Sequence, residues 1–249
     1  MHIYHLTIPR DHPRAKSLYI RELLVDGFRR GLVAPEGLIA HGRGEAYDYL
    51  IGERTTKTAR RAIRAAAAML LLSKKPVLSI NGNAAALCPK KVVELAKVTG
   101  AAIEVNLFHR AENRELAIKT ELEMYGAREV LGVGSRASAA IPELHSERRR
   151  VDPGGIYIAD TVLVPLEDGD RAEALVKLNK TVITVDLNPL SRTSRAANIT
   201  IVDNIVRAMP ALVEAARQLR STKSLKKIID SFDNKKNLRD SLTVIKGGV

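Results

Sequence analysis

Acidic and amide side chains follow two short apolar runs late in the sequence, and together they could bind a nucleotide. The runs, residues 182–185 and 199–202, are rich in β-branched side chains, which predicts two strands. The polar side chains that follow them are Asp186, Asn188, Asp203 and Asn204. Because ligands bind beyond the carboxyl ends of parallel strands, these side chains would meet at one rim of a sheet. The same residue types also end strands and cap helices through local hydrogen bonds, and this stretch supports both interpretations equally.

The loop between the two runs carries side chains that suit phosphate oxygens. Its hydroxyl and guanidinium donors are Ser191, Arg192, Thr193, Ser194 and Arg195. Arginine presents a planar fork of N–H donors that matches the geometry of a phosphate group. The loop therefore extends the nucleotide interpretation to the phosphates.

A second candidate phosphate contact lies in the sequence HGRGEA. Gly42 and Gly44 flank Arg43 just before a helix that we expect to begin near Glu45. Glycines there would let backbone N–H groups approach a phosphate, and a helix N-terminus favours negative charge. The spacing matches neither the G-x-G-x-x-G nor the P-loop fingerprint, so the signal is weak. His41 could act as an acid, a base or a phosphate donor, although a histidine beside a turn more often packs or caps.

Polar residues also follow two other predicted strands. Asn81 and Asn83 stand between the run PVLSI and an alanine-rich helix, where they would join the same rim or cap the helix. Glu167, Asp168 and Asp170 follow the run TVLVP. They could hold Mg²⁺ opposite a nucleotide, because that ion is usually bound through one or two carboxylates plus phosphate oxygens. Capping of the next helix is the more frequent role of such acids.

The composition narrows the class of partner. The chain has 249 residues, a formal net charge of +12 and only 4% aromatic residues, with no tryptophan. The positive charge favours anionic ligands, whereas the few aromatic rings argue against a single-strand nucleic-acid binder. Cys88 is the single cysteine, which excludes an intrachain disulfide and a thiolate zinc site and fits a reducing compartment. No apolar run is long enough to span a bilayer, so we expect a cytoplasmic protein without a membrane partner.

Repeated units of strand, polar tip and helix predict the fold. They indicate one α/β domain over residues 1–220, with a doubly wound, mostly parallel, Rossmann-like sheet flanked by helices. Residues 129–133 are predicted as a fourth strand, and the irregular residues 134–155, which include the run SERRR, as a lid or a partner contact. Pro210 is expected to kink or divide the last helix of the domain. Residues 221–249 form a basic C-terminal extension that we expect to be helical or partly mobile.

Several segments together resemble the archaeal phosphopantothenate synthetases, also called 4-phosphopantoate–β-alanine ligases. These segments read HGRGEAYDYLIGE, INGNAAAL, EVNLFHR, VLVPLEDGDRAEALVK and VDLNPLSRTSRAANITIVDNI, and the resemblance covers residues 8–219. It implies an enzyme of archaeal coenzyme A biosynthesis that joins 4-phosphopantoate to β-alanine and converts ATP to AMP and pyrophosphate. The ATP contacts implied by the resemblance fall on Arg21, Arg43, Asp186, Leu187, Asn188, Arg192, Thr193, Asn204 and Ile205.

The implied reaction gives each of these residues a hypothetical role. ATP would convert the unreactive phosphopantoate carboxylate to an acyl adenylate, from which the amine of β-alanine displaces AMP, with Mg²⁺ on the phosphates. The triphosphate would be held by Arg21, Arg43 and Arg192. The ribose or adenine would contact Asp186 and Asn188, and the base would contact the main chain of Leu187 and Ile205. Phosphopantoate would contact Asn81, Asn83 and His41, and the catalytic candidates are His41 and Arg43.

Two other classes of function fit parts of the sequence. A nucleotide- or sugar-phosphate-binding regulator would use the same crevice without catalysis, so it would bind ATP without forming AMP. A nucleic-acid-binding protein would account for the net charge and for the basic clusters SERRR and KK. The sequence contains no recognisable helix-turn-helix or RNA-binding motif, which counts against that class.

The resemblance also implies a homodimer. The alanine-rich residues 55–73 are predicted to form a helix with small side chains, which could pack closely against a second copy. The same helix could instead cover the sheet of its own chain, and the sequence does not separate the two.

Overall fold

The computed structural model describes residues 8–9 and 11–247, and its elements surround one parallel sheet. The strands in this part of the chain are β1 Pro76–Ile80, β2 Ala102–Val105, β3 Ala139–Ala140, β4 Arg150–Val151, β5 Thr161–Pro165, β6 Thr181–Val185 and β7 Ile199–Ile201. The α-helices are α1 Ala15–Arg29, α2 Pro35–Leu50, α3 Lys57–Leu72, α4 Gly82–Leu87, α5 Pro89–Thr99, α6 Glu112–Met124, α7 Gly169–Lys177, α8 Arg192–Ala196, α9 Ile205–Leu219, α10 Leu225–Asp230 and α11 Asn234–Lys246. Among the described residues, none of the helices has the length and apolar character needed to cross a membrane.

The main sheet has the strand order β2-β1-β5-β6-β7, and all of its pairings are parallel. The chain adds β2 on one side of β1 and then crosses to the other side, where β5, β6 and β7 follow. Counted along the chain, this is the doubly wound order 2-1-3-4-5, in which ligands bind where the order reverses. The predicted doubly wound α/β sheet is confirmed, and the switch point, which the sequence left open, lies between β1 and β5.

Side chains alternate between two apolar cores along the central strands. In β1, Leu78 and Ile80 belong to the larger core, and Val77 belongs to the smaller one. Helices α3, α5 and α9 cover the larger core, and the four alanines 65–68 of α3 are buried in it. The alanine-rich helix therefore covers the sheet of its own chain, and its small side chains are not free for a second copy.

The smaller core is covered by α7 and by the irregular residues that follow α6. The apolar side chains that these irregular residues bury are Ala137, Ile141, Leu144, Val151, Ile156 and Ala159. Burying such side chains contributes roughly 1.5–3 kcal/mol each for the larger ones, relative to leaving them in water. Residues 134–155 are therefore packed against the sheet, and they do not form an open lid.

A buried carboxylate anchors this packed segment. Glu104 on β2 is fully buried, and its two oxygens accept backbone N–H bonds from Asp152 at 3.0 Å and from Ile156 at 2.6 Å. Burial raises the pKa of the Glu104 carboxyl to about 7. A Cβ atom added at Gly155 would lie 2.0 Å from a Glu104 oxygen, so the close approach requires glycine there.

The predicted fourth strand at residues 129–133 is wrong. In the described structure Leu131 forms only an isolated parallel bridge with Glu104. Gly132 has a φ of +75°, which a strand does not accommodate, and its N–H donates to Asp152 at 3.2 Å. The backbone therefore turns away after a single pairing.

The expected start of a helix near Glu45 is also wrong. Helix α2 begins at Pro35, which occupies the first helical position, so Gly42 and Gly44 lie inside the helix. Proline suits that position because its missing N–H would have no partner there. The two glycines therefore do not offer free N–H groups to a phosphate.

The proline in the last domain helix does not divide it. Helix α9 runs without a break from Ile205 to Leu219 and contains Pro210. Its buried face packs on the larger core, and that burial outweighs the lost backbone hydrogen bond. The helix directly follows Asp203 and Asn204, so it extends from the predicted rim.

The C-terminal residues form helices α10 and α11, which pack on α3. Helix α11 also covers the free edge of β7, because Asn234 accepts the Thr200 N–H at 2.9 Å and Asn237 donates to the Thr200 carbonyl at 2.9 Å. Such coverage protects an edge strand from pairing with another chain.

Candidate active site

A cleft lies between helix α2 and the carboxyl ends of β1, β5, β6 and β7. It has two adjoining compartments, with cavity volumes of about 590 Å³ and 320 Å³. The wall residues common to both are Ala40, Arg43, Asn83, Leu166 and Asp168. Because the compartments share these residues, two ligands bound side by side could react with one another across that shared wall.

The larger compartment brings together most of the residues for which the sequence suggested nucleotide contacts. They are Arg43, Asp186, Leu187, Asn188, Thr193, Asn204 and Ile205, and His41 joins them. The strands β6 and β7 pair in parallel, so their carboxyl ends lie side by side and the residues that follow each strand meet at one edge of the sheet. Three of the four polar side chains predicted for the rim, Asp186, Asn188 and Asn204, therefore meet at the cleft.

Asp186 organises the loop that follows β6. Its carboxylate accepts the Asn188 N–H at 2.9 Å and the Ser191 hydroxyl at 2.5 Å. Ser191 in turn caps α8 by accepting the Ser194 N–H at 2.9 Å. Burial raises the pKa of the Asp186 carboxyl, and these hydrogen bonds together with the nearby Arg43 charge oppose the rise.

Asp203 and Asn204, which follow β7, have different roles. Asn204 lines the compartment, caps α9 by accepting the Val206 N–H at 3.2 Å, and donates to Asp48 at 2.8 Å. Asp203 is fully buried and accepts bonds from Thr55 at 2.6 Å and from Arg207 at 2.9 Å. Asp203 therefore serves the fold and does not line the cleft, so both interpretations of this stretch apply.

Two of the arginines suggested for the triphosphate lie outside the cleft wall. Arg21 forms a two-pronged ion pair with Glu45, with nitrogen–oxygen distances of 3.0 and 2.7 Å. Arg192 pairs with Glu173 at 2.9 Å on the surface. Arg43, in contrast, lines both compartments. The structure therefore brings one of the three arginines to the cleft.

The two asparagines after β1 behave differently. Asn81 uses both ends of its amide within the fold, because it caps α4 by accepting the Ala84 N–H and donates to the carbonyls of Pro165 and Leu166. Asn83 donates to the Gly37 carbonyl at 2.8 Å and lines both compartments. Asn81 is thus a framework residue of the switch point.

The smaller compartment contains two further arginines, Arg114 and Arg148, beside Arg43. Its polar lining residues are Glu36, Arg43, Asn81, Asn83, His109, Arg114, Arg148 and Asp168, and its apolar ones include Leu107, Phe108 and Leu166. Arg148 belongs to the run SERRR, which resembles a solvated surface in sequence, yet it is only 6% exposed. No local pattern distinguishes it from Arg149, which is exposed, or from Arg150, which is half-buried.

A strained corner between β5 and α7 presents Asp168 to both compartments. Leu166 has a φ of +53°, which is uncommon for a residue other than glycine. Glu167 is buried between two guanidinium groups, Arg148 at 2.8 Å and Arg171. The Thr193 hydroxyl donates to the Glu167 carbonyl at 2.7 Å, which connects this corner to the segment between β6 and β7. A strained backbone held by surrounding contacts is typical of functional sites.

Several buried polar atoms at the cleft have no hydrogen-bond partner in the described part of the chain. They are His41 Nε2, Arg114 Nε, Arg148 Nε and Asp168 Oδ2. The last two lie 3.0 Å apart, within ion-pair distance, but their alignment does not make a hydrogen bond. Buried polar groups are nearly always bonded, so His41 Nε2 and Arg114 Nε, which have no such ion-pair neighbour, are available to a ligand or to water.

Burial also shifts the titration of two of these groups. It lowers the pKa of the His41 imidazole below 6.5 against the opposing charge of Glu45, so the ring is neutral at pH 7. It raises the pKa of the Asp168 carboxyl, and the Arg148 guanidinium opposes that rise. The cleft therefore contains a neutral imidazole and a carboxylate whose ionisation depends on nearby positive charge.

The chain is similar in sequence to proteins of known family. A family model described as phosphopantothenate/pantothenate synthetase matches residues 58–248. The 4-phosphopantoate–beta-alanine ligase of Thermococcus kodakarensis is 55% identical over 244 residues, covering 97% of this chain and 93% of that protein. The ligase of the same name from Methanosarcina mazei is 53% identical over 240 residues, covering 96% and 94%. The family match includes the C-terminal helices, which the resemblance seen in the sequence had left out.

Proposed function

The chain belongs to the phosphopantothenate/pantothenate synthetase family, and we propose that it is an ATP-dependent ligase of archaeal coenzyme A biosynthesis. It joins 4-phosphopantoate to β-alanine and releases 4′-phosphopantothenate, AMP and pyrophosphate. The observation that supports this reaction is the paired cleft, in which a nucleotide-sized compartment and a smaller cationic one share Arg43 and Asp168. The names of the relatives point to the same substrates.

In this proposal ATP occupies the larger compartment. Asp186 and Asn188 contact the ribose or adenine, and the main chain of Leu187 and Ile205 contacts the base. Thr193 and Asn204 contribute further polar contacts from the same wall. The loop held by Asp186 is rigid before the ligand arrives, which lowers the entropy cost of binding.

Arg21 and Arg192 reach the nucleotide only by leaving their present carboxylate partners. The Arg192–Glu173 pair is exposed on both sides, and solvent and salt weaken such exposed pairs. A triphosphate provides a stronger, charge-assisted partner. When ATP binds, the two arginine side chains therefore leave their glutamate partners and pair with the phosphates.

The acid substrate occupies the smaller compartment with its carboxylate toward the shared wall, where Asn83 and Arg43 lie. The carboxylate oxygen attacks the α-phosphorus of ATP, pyrophosphate leaves, and an acyl adenylate remains. The amine of β-alanine then attacks the acyl carbon and AMP leaves. Arg43 stabilises the charge on the α-phosphate, and a preorganised donor of this kind is worth roughly 10²–10³ in rate.

His41 is proposed to take the proton that the β-alanine ammonium must lose before it attacks. Its ring is neutral because burial lowers its pKa, and its Nε2 has no partner in the described structure. A His41→Gln variant should still exchange labelled pyrophosphate into ATP in the presence of 4-phosphopantoate, but should form the amide slowly. Loss of exchange and amide formation to the same degree would contradict this role.

Mg²⁺ would be held at the shared wall by Asp168. Asp168 Oδ2 forms no hydrogen bond in the described structure, although Arg148 Nε lies 3.0 Å away, and a carboxylate oxygen suits a hard cation, which would neutralise charge on the ATP phosphates. The described residues contain no cluster of three or more His, Cys, Asp or Glu side chains fit for a metal, so the phosphates would supply the other ligands. An Asp168→Asn variant should need a much higher Mg²⁺ concentration for half-maximal rate, while unchanged Mg²⁺ dependence would contradict the assignment.

We further propose a cytoplasmic homodimer that pairs through α2. This helix is unusual because its buried residues are Glu45 and Asp48, whereas Ile39 is 70% and Leu50 48% exposed. An apolar outer face on a charged inner face favours cover by a second copy. Light scattering should report a dimer for the wild type and a monomer for Ile39→Glu, and a monomeric wild type would refute the pairing.

The decisive experiment is an AMP-release assay with ATP, Mg²⁺, 4-phosphopantoate and β-alanine, in which each substrate is omitted in turn. AMP should form only when all are present, and ¹⁸O in the phosphopantoate carboxylate should appear in AMP. ATP binding without AMP formation would instead indicate the regulatory protein considered above.

A further inference from the structure

Arg114 on α6 lies in the smaller compartment without the counter-ion that neighbouring arginines have. Arg148 pairs with Glu167 and Asp168, and Arg110 pairs with Glu115. Within the described residues, Arg114 forms no ion pair with a carboxylate, and its Nη1 and Nη2 donate only to neutral carbonyls. The compartment therefore holds a positive charge that no carboxylate of the described residues neutralises by direct contact.

The surrounding backbone keeps this guanidinium in place. Arg114 donates to the His109 carbonyl at 2.5 Å and to the Leu32 carbonyl at 3.2 Å. Gly82 makes room for the arrangement, because a Cβ atom there would lie 2.1 Å from the Leu32 oxygen and 3.2 Å from the Arg114 Nη2. Its third nitrogen, Nε, is buried without a partner. The side chain is thus held in place by two of its five N–H donors, and the Nε donor is among those left unused.

Burial of an uncompensated charge is unfavourable unless a ligand supplies the opposite charge. Burial lowers the pKa of the Arg114 guanidinium, and Glu36, which lines the same compartment, opposes that effect. Arginine stays charged under such conditions, because its ordinary pKa is far above neutrality. A bound anion would remove the penalty, and phosphate matches the fork of an arginine best.

The position of Arg114 indicates which end of the substrate it meets. Arg114 lines only the smaller of the two compartments, whereas Arg43 and Asp168 line both. The wall that both compartments share is where the reacting groups would meet. Leu107 and Phe108 add apolar wall to the smaller compartment, which suits the branched carbon chain of the acid. In 4-phosphopantoate the carboxylate and the phosphate are at opposite ends of that chain. A carboxylate at the shared wall directs the phosphate into the compartment that holds Arg114.

We infer that Arg114 is the specificity residue that distinguishes a phosphorylated hydroxy acid from the free acid. This inference rests on the proposed function and deepens it. The family description includes both phosphopantothenate and pantothenate, so the choice between the two acids must be made by residues of each chain. In this chain the choice is made by an unneutralised guanidinium, which favours the dianionic phosphate over a hydroxyl group.

The test compares two acids in one enzyme. The rate of AMP release is measured with 4-phosphopantoate and with pantoate for the wild type, Arg114→Gln and Arg114→Lys. A charge-assisted contact to phosphate is worth about tenfold to hundredfold in affinity, so kcat/KM for 4-phosphopantoate should fall by that factor in Arg114→Gln. The value for pantoate and the KM for ATP should change less than about twofold. Arg114→Lys keeps the charge and should lie between.

A matched control and a binding measurement keep the outcome decisive. Arg217→Gln removes a half-exposed arginine of α9 and should leave both acids unaffected. An unchanged preference in Arg114→Gln, or an equal loss for both acids, would overturn the inference. If the wild type forms no AMP, the ligase proposal fails, and calorimetry then gives the ratio of the two affinities, for 4-phosphopantoate and for pantoate. A ratio that depends on Arg114 would still support the inference. If Arg114→Gln does not fold, the ratio in Arg114→Lys decides.

Discussion

Asn81 donates its side-chain amide to the Pro165 carbonyl across 2.9 Å, which joins the end of β1 to the end of β5. These are the two strands between which the chain changes direction through the sheet. The same side chain caps α4 through the Ala84 N–H. One residue therefore holds both walls of the switch point, and both compartments of the cleft depend on its position.

Replacing Asn81 by alanine should lower the free energy of unfolding by about 2–3 kcal/mol, because a cap and the carbonyl contacts are lost together. Urea unfolding measures this change. Asn83→Ala is the matched control, since it removes only the bond to the Gly37 carbonyl and should lose about 1 kcal/mol. Equal losses in the two variants would show that the link between the strands contributes nothing.

Replacing Arg43 by alanine should raise the KM for ATP or lower turnover about hundredfold, because Arg43 borders both compartments where the reacting groups meet. The melting temperature should stay unchanged, since Arg43 is exposed. Arg43→Lys should recover part of the rate. An Arg43→Ala variant with normal turnover and a normal KM for ATP would refute the assignment.

Replacing Glu173 by glutamine should lower the KM for ATP about two- to fivefold, because the exposed Glu173 carboxylate then no longer competes with the phosphates for Arg192. Steady-state kinetics at low ionic strength measure the effect most sharply. The double variant with Arg192→Gln should lose the gain. A KM that does not change in Glu173→Gln would indicate that Arg192 never leaves the surface.

His41 should make the stability of the protein depend on pH. Because burial lowers its pKa below 6.5, the unfolded chain binds a proton at this residue in a pH range where the folded chain does not. The free energy of unfolding should therefore fall as the pH drops from about 7.5 to about 5.5, and less so in His41→Gln. Urea unfolding across that range gives both slopes. Parallel slopes would mean that the imidazole titrates normally.

Local patterns were sufficient to predict β6, β7 and most of the rim. The β-branched runs that end at Asp186 and at Asp203 form β6 and β7, because alternation and strand length are local properties of the chain. The start of α2 was missed because glycines suggest a turn, whereas the proline at position 35 and the contacts of the buried face decide the helix. The prediction of a strand at residues 129–133 was wrong for a related reason, since Gly132 has a positive φ and the pairing with β2 ends after a single bridge.

The sequence did not predict which arginines pair with a carboxylate. Arg21, Arg43 and Arg192 look alike as basic residues in polar segments, yet only Arg43 borders the cleft. Which arginine meets a carboxylate depends on Glu45 and Glu173, and these come within reach only when helices pack. A sequence pattern carries no information on such long-range pairs.

The sequence alone determined the class of this protein: a doubly wound α/β chain with polar strand tips suited to a nucleotide, in a recognisable ligase family. That much follows from short-range periodicity and from residue types at the ends of strands. The tertiary structure decided which side chains share the cleft, because the crossing from β2 to β5 places Asn81 beside Pro165 and brings Arg148 next to Glu167. It also left Arg114 charged and without a carboxylate partner in the described residues. A counter-ion is a property of three-dimensional proximity, and residue spacing does not encode it.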